Sequence, residues 1–174
     1  MIDLQQELKS VHEAAFQWSL HCTQGRRQDA EDALQAAYEA LLNGSASFEG
    51  RSAFKSFLFG VIRNKARSLR RKKKLGRLVR LDAIREPSVE PTDRVDSETT
   101  ERKARVREAI LSLSPKQRDV LELVFYHDLT IEEAAQVMGV RLGTARTHYK
   151  RAKSGIQSYL QDGGYQWTST TTGS

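Results

Sequence analysis

The stretch "TIEEAAQVMGVRLGTARTHYKRAK", Thr130 to Lys153, decides the fold. Ile131, Ala134, Ala135 and Met138 recur at the spacing of a helix with one buried face. After a break, Leu142, Ala145, Tyr149, Ala152 and Ile156 form a second inward stripe, on a helix from about Leu142 to Tyr159. The break is Met138-Gly139-Val140, where glycine suits a left-handed helix end. Small Ala134 and Ala135 let the two helices cross closely. The outer face of the second carries Arg146, Thr147, Lys150 and Arg151, with His148 at its edge. This is the pattern of a helix-turn-helix, whose second helix offers its first two turns to base edges in a major groove. Gly143 and Thr144 at its start permit close approach to a phosphate, which a helix N-terminus favours. The alternative is two amphipathic helices with a solvated charged face. Charge elsewhere in the chain discriminates between them.

The same periodicity extends through the chain. Leu4, Leu8, Val11, Ala15 and Trp18 form one stripe; Leu34, Ala37, Tyr38 and Leu41 a second; Leu58, Val61, Ile62 and Leu69 a third. Val106, Ile110 and Leu113, then Leu121, Val124 and Phe125, complete the series. No convincing period-two strand is present, so the fold class is all-α. Ser114-Pro115-Lys116-Gln117 and Thr130-Ile131-Glu132-Glu133 read as capping boxes, and Asn43 to Ser47 as a loop.

Charge divides the chain. From Arg63 to Arg80 there are ten basic residues and no acid. On a helix Arg63, Arg67, Arg70 and Lys74 share one face, opposite Leu58, Val61, Ile62 and Leu69. Unmixed cations at such spacing repel by a few tenths of a kcal/mol per pair, roughly. A merely solvated face usually mixes signs, so the stripe points to a polyphosphate that gains from counterion release. "RRKKK" also suits a nuclear-localisation or RNA-binding patch. From Asp82 to Glu101 seven acids face only Arg85 and Arg94, with Pro87 and Pro91. That composition reads as a linker. Two helical domains, 1–80 and 99–160, are thus expected about a flexible acidic segment, 81–98, with a disordered tail, 161–174. The segment from Asp82 to Glu98 extends to roughly 55 Å, enough to seat the domains on separate sites of one ligand.

Upstream of the stripe lies "SFEGRSAFKSFLFGVIRN". Phe54, Phe57 and Phe59 cannot all face one helix core, and core packing is the bland reading for Phe54 and Phe57. Phe48 sits in a loop beside Gly50 and Arg51, where an aromatic and a cation can hold an unstacked base.

With 28 basic and 22 acidic residues the net charge is +6, which weakly favours a polyanionic partner. The lone Cys22 excludes an internal disulfide and reads as a small hydrophobe. No signal core and no apolar run of about 20 residues is present, so a cytoplasmic protein without membrane contact is expected. His12, His21, His127 and His148 stand isolated, without paired carboxylates or metal-ligand spacing. No catalytic residue, metal ligand or cofactor is assigned.

Together the halves resemble bacterial RNA polymerase sigma factors of the extracytoplasmic-function group, from about residue 10 to residue 160. "DAEDALQAAYEALL" is similar to that family's "DAEDLVQETFLRAW" helix. "FEGRSAFKSFLFGVIRNKARSLRRKKK" is similar to the remainder of its second region, with Phe48, Phe54, Leu58, Ile62, Asn64, Arg70 and Arg71 in place. Leu113 to Lys153 resembles its fourth region through Leu113, Pro115, Arg118, Leu121, Glu133, Ala135, Gly139, Gly143, Thr144, Arg151 and Ala152. The resemblance implies an initiation subunit that binds the clamp helices and flap of core RNA polymerase, reads promoter DNA at two elements, and melts the minus-ten element. It is expected to be a monomer when free, controlled by an anti-sigma factor or an activating kinase.

Carried over by position, Asp32, Gln35 and Glu39 contact the clamp. Phe48, Gly50, Arg51 and Ser52 capture a flipped base, and Arg63, Asn64, Arg67, Arg70, Arg71 and Lys74 meet the minus-ten strand. Gly143, Thr144, Arg146, Thr147, His148, Lys150 and Arg151 face the minus-thirty-five groove. Four departures stand out. Ala36 and Ala40 replace a frequent acid and a frequent arginine, which implies a weaker clamp face that needs another input, such as phosphate on Tyr38, Ser45, Ser47 or Ser52. His148 stands where arginine is frequent, and Phe57 where tryptophan is common. A sigma mimic that binds only an anti-sigma partner leaves the basic stripe unexplained, as does a simple helix-turn-helix regulator. An enzyme lacks a catalytic constellation.

Overall fold

A computed structural model describes residues 4–79 and 97–162. All regular structure among them is helical. Helices α1 (Leu4–Cys22), α2 (Arg27–Leu42) and α3 (Phe54–Val79) form one unit. Helices α4 (Ser97–Ser112), α5 (Pro115–Leu121), α6 (Ile131–Met138) and α7 (Leu142–Asp162) form the other, with a π-helical turn, Glu122–Tyr126, after α5. The linker reading, 81–98, lies outside the described residues as far as 96, and its last two residues begin α4; the tail reading, 161–174, lies outside them from 163, its first two residues ending α7. Among the described residues no helix is long and apolar enough to cross a membrane.

The first unit is built around Trp18, which is fully buried. Its indole N–H donates to the Phe59 carbonyl at 3.0 Å, and its ring stacks on Phe59 at 5.8 Å. Ala30, Ala33, Ala37 and Ala40 line the buried side of α2 and let α1 and α3 approach it closely. The Ser19 hydroxyl donates to the Ala30 carbonyl at 2.7 Å and fixes the start of α2 against α1. Between those helices Gln24 and Gly25 take left-handed φ values of 60° and 76°, which reverses the chain in four residues.

In the second unit both capping boxes form. The Ser114 N–H donates to Gln117 Oε1 at 2.9 Å; the Thr130 N–H donates to Glu133 Oε2 at 2.8 Å and receives the Glu133 N–H on its hydroxyl at 3.2 Å. Gly139 ends α6 at φ 64°, ψ 41°, and the Val140 N–H closes onto the Ala135 carbonyl at 3.0 Å. Ala145 and Ala152 of α7 are fully buried, with Leu142, Tyr149 and Ile156 half-buried beside them, as their spacing predicts.

One expectation changes. The sequence assigns α6 a single buried face, yet Ala134, Ala135, Val137 and Met138 are all buried. The reason is that α6 packs between α7 on one side and α3 on the other. Residues of both units, among them Ala15, Trp18, Phe59, Ile62, Val120, Leu123, Val137 and Met138, make one continuous core. The two units are packed against each other across this core.

Candidate nucleic-acid interfaces

Two cationic faces and one acidic face remain open in this closed arrangement. On α3, Asn64, Arg67, Arg70, Arg71 and Lys74 are exposed. Arg67, Arg70 and Lys74 follow one another at helical spacing along a single line, so a phosphate backbone laid along α3 meets several of them at once. Opposite, Leu58 and Ile62 are fully buried, while Val61 and Leu69 are half-buried.

Arg63, the expected first member of that line, is elsewhere. Its side chain is only 13% exposed, and it pairs with the Asp119 carboxylate of α5 at 3.0 Å. It also donates to the Met138 carbonyl at the C-terminus of α6, at 3.0 Å. The stripe is therefore one residue shorter than the sequence implies. The cause is the other unit, whose carboxylate and helix-end carbonyl make a better site for a guanidinium than half-solvated helix surface does.

The rest of this seam is polar and aromatic. His21 meets Asp119 at 3.0 Å through Nε2 and Glu122 at 3.6 Å through Nδ1. The expectation that His21 stands without carboxylates thus fails, because both partners lie about a hundred residues away along the chain. Burial raises the Asp119 carboxyl, but the His21 and Arg63 contacts overcome it and hold the group below its usual range. His127 is 4% exposed and packs edge-on against the stacked Trp18 and Phe59 rings, with centroids 6.0 and 4.7 Å away. Lys55 Nζ donates to its carbonyl at 2.6 Å. Burial, then the charges of Lys55 and His21, push the His127 imidazole down to about 4 against a weaker opposing pull from Asp128. Burial and the nearby Asp119 charge push the Cys22 thiol up, in keeping with an inert half-buried residue.

On α7, Gly143, Thr144, Arg146, Thr147, Lys150 and Arg151 are exposed, and His148 is half-buried at the edge. The Thr147 hydroxyl donates back to the Gly143 carbonyl at 2.9 Å, leaving its lone pairs to face outward. This face is unobstructed by the first unit.

On α2, Asp32, Gln35 and Glu39 share one face. Gln35 Nε2 donates to Glu39 Oε1 at 2.9 Å, and Gln28 to Asp32 at 3.2 Å. Leu42 extends this face at 66% exposure, an apolar position that the helical stripe alone does not mark. Ala40 is 3% exposed and belongs to the core, so its replacement of arginine removes nothing from the outer face. Ala36 is half-buried at that face's edge. Of the hydroxyls considered for modification, Ser45 and Ser47 are exposed, Ser52 is half-buried, and the Tyr38 hydroxyl is held by His12 Nδ1 at 2.9 Å.

The loop before α3 is half folded into the core. Phe48 packs edge-on to Phe54 at 5.4 Å and tilted to Phe57 at 5.3 Å. Gly50 has φ 72°, exposed Arg51 pairs with Glu49, and the Ser52 hydroxyl turns back to the Ala53 carbonyl. Phe48, Phe54, Leu4, Leu41 and Ser47 line an open pocket of about 340 Å³ beside this loop. Asp119, His127 and Lys55 are the residues of consequence whose place in the seam sequence reasoning missed. The only available signal was the paired carboxylates Asp119 and Glu122 preceding a histidine in an otherwise apolar run.

Residues 4–75 match the Sigma-70 region 2 family, and residues 103–154 match the Sigma-70, region 4 family. The chain is 26% identical over 149 residues to the ECF RNA polymerase sigma factor SigW of Bacillus subtilis (strain 168), with 79% of each covered. Among solved structures it is similar to the sigma factor RpoE from Bartonella quintana, in complex with the anti-sigma factor NepR. The TM-score is 0.71 and the identity 25%, over 91% of this chain and 97% of that one. A likeness in fold extends to CnrH in complex with the cytosolic domain of CnrY, with TM-score 0.60 and identity 21%, over 91% of this chain and 87% of that one.

Proposed function

The chain belongs to the sigma-70 family, carrying its region 2 and region 4, and on that premise we propose that it joins core RNA polymerase, directs it to promoters and opens the minus-ten element. The observation that carries this reading is the pair of separate exposed cationic faces, α3 and the first turns of α7, in a chain that also has an exposed acidic face on α2. A transcription factor of the simple helix-turn-helix kind needs only the second.

In this reading Asp32, Gln35 and Glu39, extended by Leu42, meet the clamp helices of the polymerase, and region 4 meets the flap. Arg146, Thr147, Lys150 and Arg151, with His148 at the edge, face the minus-thirty-five groove; Gly143 and Thr144 let the backbone approach its phosphates. Asn64, Arg67, Arg70, Arg71 and Lys74, joined by Arg63 once it is released, follow the minus-ten strand. An unstacked base leaves that strand for the pocket beside Phe48, with Gly50, Arg51 and Ser52 around it. Unstacking costs a few kcal/mol, roughly, and stacking on an aromatic ring with phosphate contacts offsets it without a chemical energy source. The chemistry of transcription belongs to the polymerase. The solved complexes of RpoE with NepR and CnrH with CnrY support control by an anti-sigma factor here too, and exposed Ser45 and Ser47 leave a kinase as a second input.

Run-off transcription with core polymerase, with and without the protein, tests the proposal. Promoter-specific transcripts should require the added chain. Their absence with both the unmodified and the phosphorylated protein would sink it.

A further inference from the structure

Thr147 differs in kind from its neighbours on the outer face of α7. Arg146, Lys150 and Arg151 are exposed and carry long cationic side chains, which suit phosphates and hydrogen-bonding base edges. Thr147 is equally exposed, but short and uncharged. It follows the fully buried Ala145 by two residues, ~200° round the helix at 3.6 residues per turn, so it points away from the core. One turn earlier on the same line is Gly143, where a Cβ would meet nothing within 4 Å. Packing inside the protein gives no reason for glycine there, and glycine weakens a helix relative to alanine. The bare position lets an outside surface come close beside Thr147.

The Thr147 hydroxyl is already engaged. It donates its one proton to the Gly143 carbonyl at 2.9 Å, and so has none for the N7 or O6 acceptors of a purine. The substituents on a threonine Cβ are staggered, so an oxygen leaning back along the helix leaves the methyl group leaning off it. A groove floor therefore meets a methyl held in one orientation. Thymine alone among the base edges of the major groove presents a methyl in return. The other bases present donors and acceptors there, which a methyl would desolvate without replacing their partners.

We propose that Thr147 is a specificity-determining residue, which selects thymine at one base pair of the upstream promoter element by contact between its methyl and the thymine 5-methyl group. The proposal rests on the reading of α7 as the helix that enters the groove. The cations beside Thr147 supply phosphate contacts and hydrogen-bonded readout, and Thr147 adds an apolar contact that neither kind provides.

The test uses holoenzyme assembled from core RNA polymerase and the full-length chain. Templates with a randomised upstream element are first selected by promoter binding. Each thymine of the selected element, on either strand in turn, is then replaced by deoxyuridine, which keeps the pairing and lacks only the 5-methyl group. Competition against the unsubstituted template is measured for the wild type, Thr147→Ser and Thr147→Val. Serine keeps the hydroxyl and removes the methyl; valine keeps a methyl and removes the hydroxyl. The wild type should lose about fourfold in relative affinity at one thymine, the worth of one buried methyl. Thr147→Ser should bind thymine and deoxyuridine alike at that position, while Thr147→Val should retain the loss. Sensitivity at no thymine would overturn the methyl contact and leave α7 as the groove reader. Sensitivity kept by Thr147→Ser would overturn it too, and if Thr147→Val alone loses it the reading group is the hydroxyl. A selection that enriches no upstream sequence would overturn the groove-reading role of α7, and the thymine contact with it.

Discussion

Arg63 and Trp18 illustrate opposite uses of a large side chain in this core. Trp18 buries its whole surface and satisfies its single donor on the Phe59 carbonyl. Trp18→Ala leaves a large cavity and should cost about 3–5 kcal/mol in urea unfolding. Arg63 is instead matched to a carboxylate and a helix-end carbonyl. On α7 the two kinds of nucleic-acid contact separate by residue. Arg146→Ala should reduce discrimination between upstream-element sequences by ~1–3 kcal/mol, read from competition binding. Lys150→Ala should weaken all sequences alike and lower the salt slope by about one. Equal effects of the two variants on all sequences would remove the base-reading role from Arg146. These exposed positions were legible from spacing alone. Arg63 was not, because the carboxylate that captures it lies 56 residues away.

At the scale of elements, the helices follow from local rules. Thr130 and Glu133 close the cap of α6, and Thr130→Ala should cost ~1 kcal/mol of stability. Gly139 ends the same helix at φ 64°, and a Cβ there meets no atom within 4 Å. Gly139→Ala should therefore cost only the left-handed backbone penalty, about 1–2 kcal/mol, without a steric clash. A much larger loss in thermal unfolding would mean that the turn carries packing that the geometry lacks. These ends were readable because a cap is decided within four or five residues. Burial of α6 was readable only on the side facing α7, which lies next in the chain. Its second buried side faces α3, a partner that helical periodicity does not identify. Likewise the π-helical turn at Glu122–Tyr126, which sets His127 into the first unit, has no signature in the apolar pattern.

At the scale of the whole molecule, closure should respond to acid. His127 ordinarily titrates near 6.5 and is pushed down to about 4 in the seam, burial being the main cause. A base held neutral stabilises closure fully above its ordinary value. That contribution is lost as pH falls from about 6.5 towards 4, where the open form gains the proton first. The groups facing the ring are Lys55 from α3, His21 from α1, and Glu122 and Asp128 from its own segment. Scattering should show expansion between pH 6.5 and 5, and His127→Gln, which cannot gain that proton, should flatten the response. An unchanged response in the variant would take the acid sensitivity of closure away from His127. The sequence by itself determined the all-α class, the helix ends and the two cationic faces. Each depends on contacts within a few turns of one helix, which spacing records. Only the tertiary structure decided that the two units share a core, that Ala40 faces inward, that His21 has carboxylate partners, and that Arg63 is withheld from its stripe. Those outcomes depend on which distant surfaces meet, and apolar burial with ion pairing across the seam, rather than local propensity, selects them.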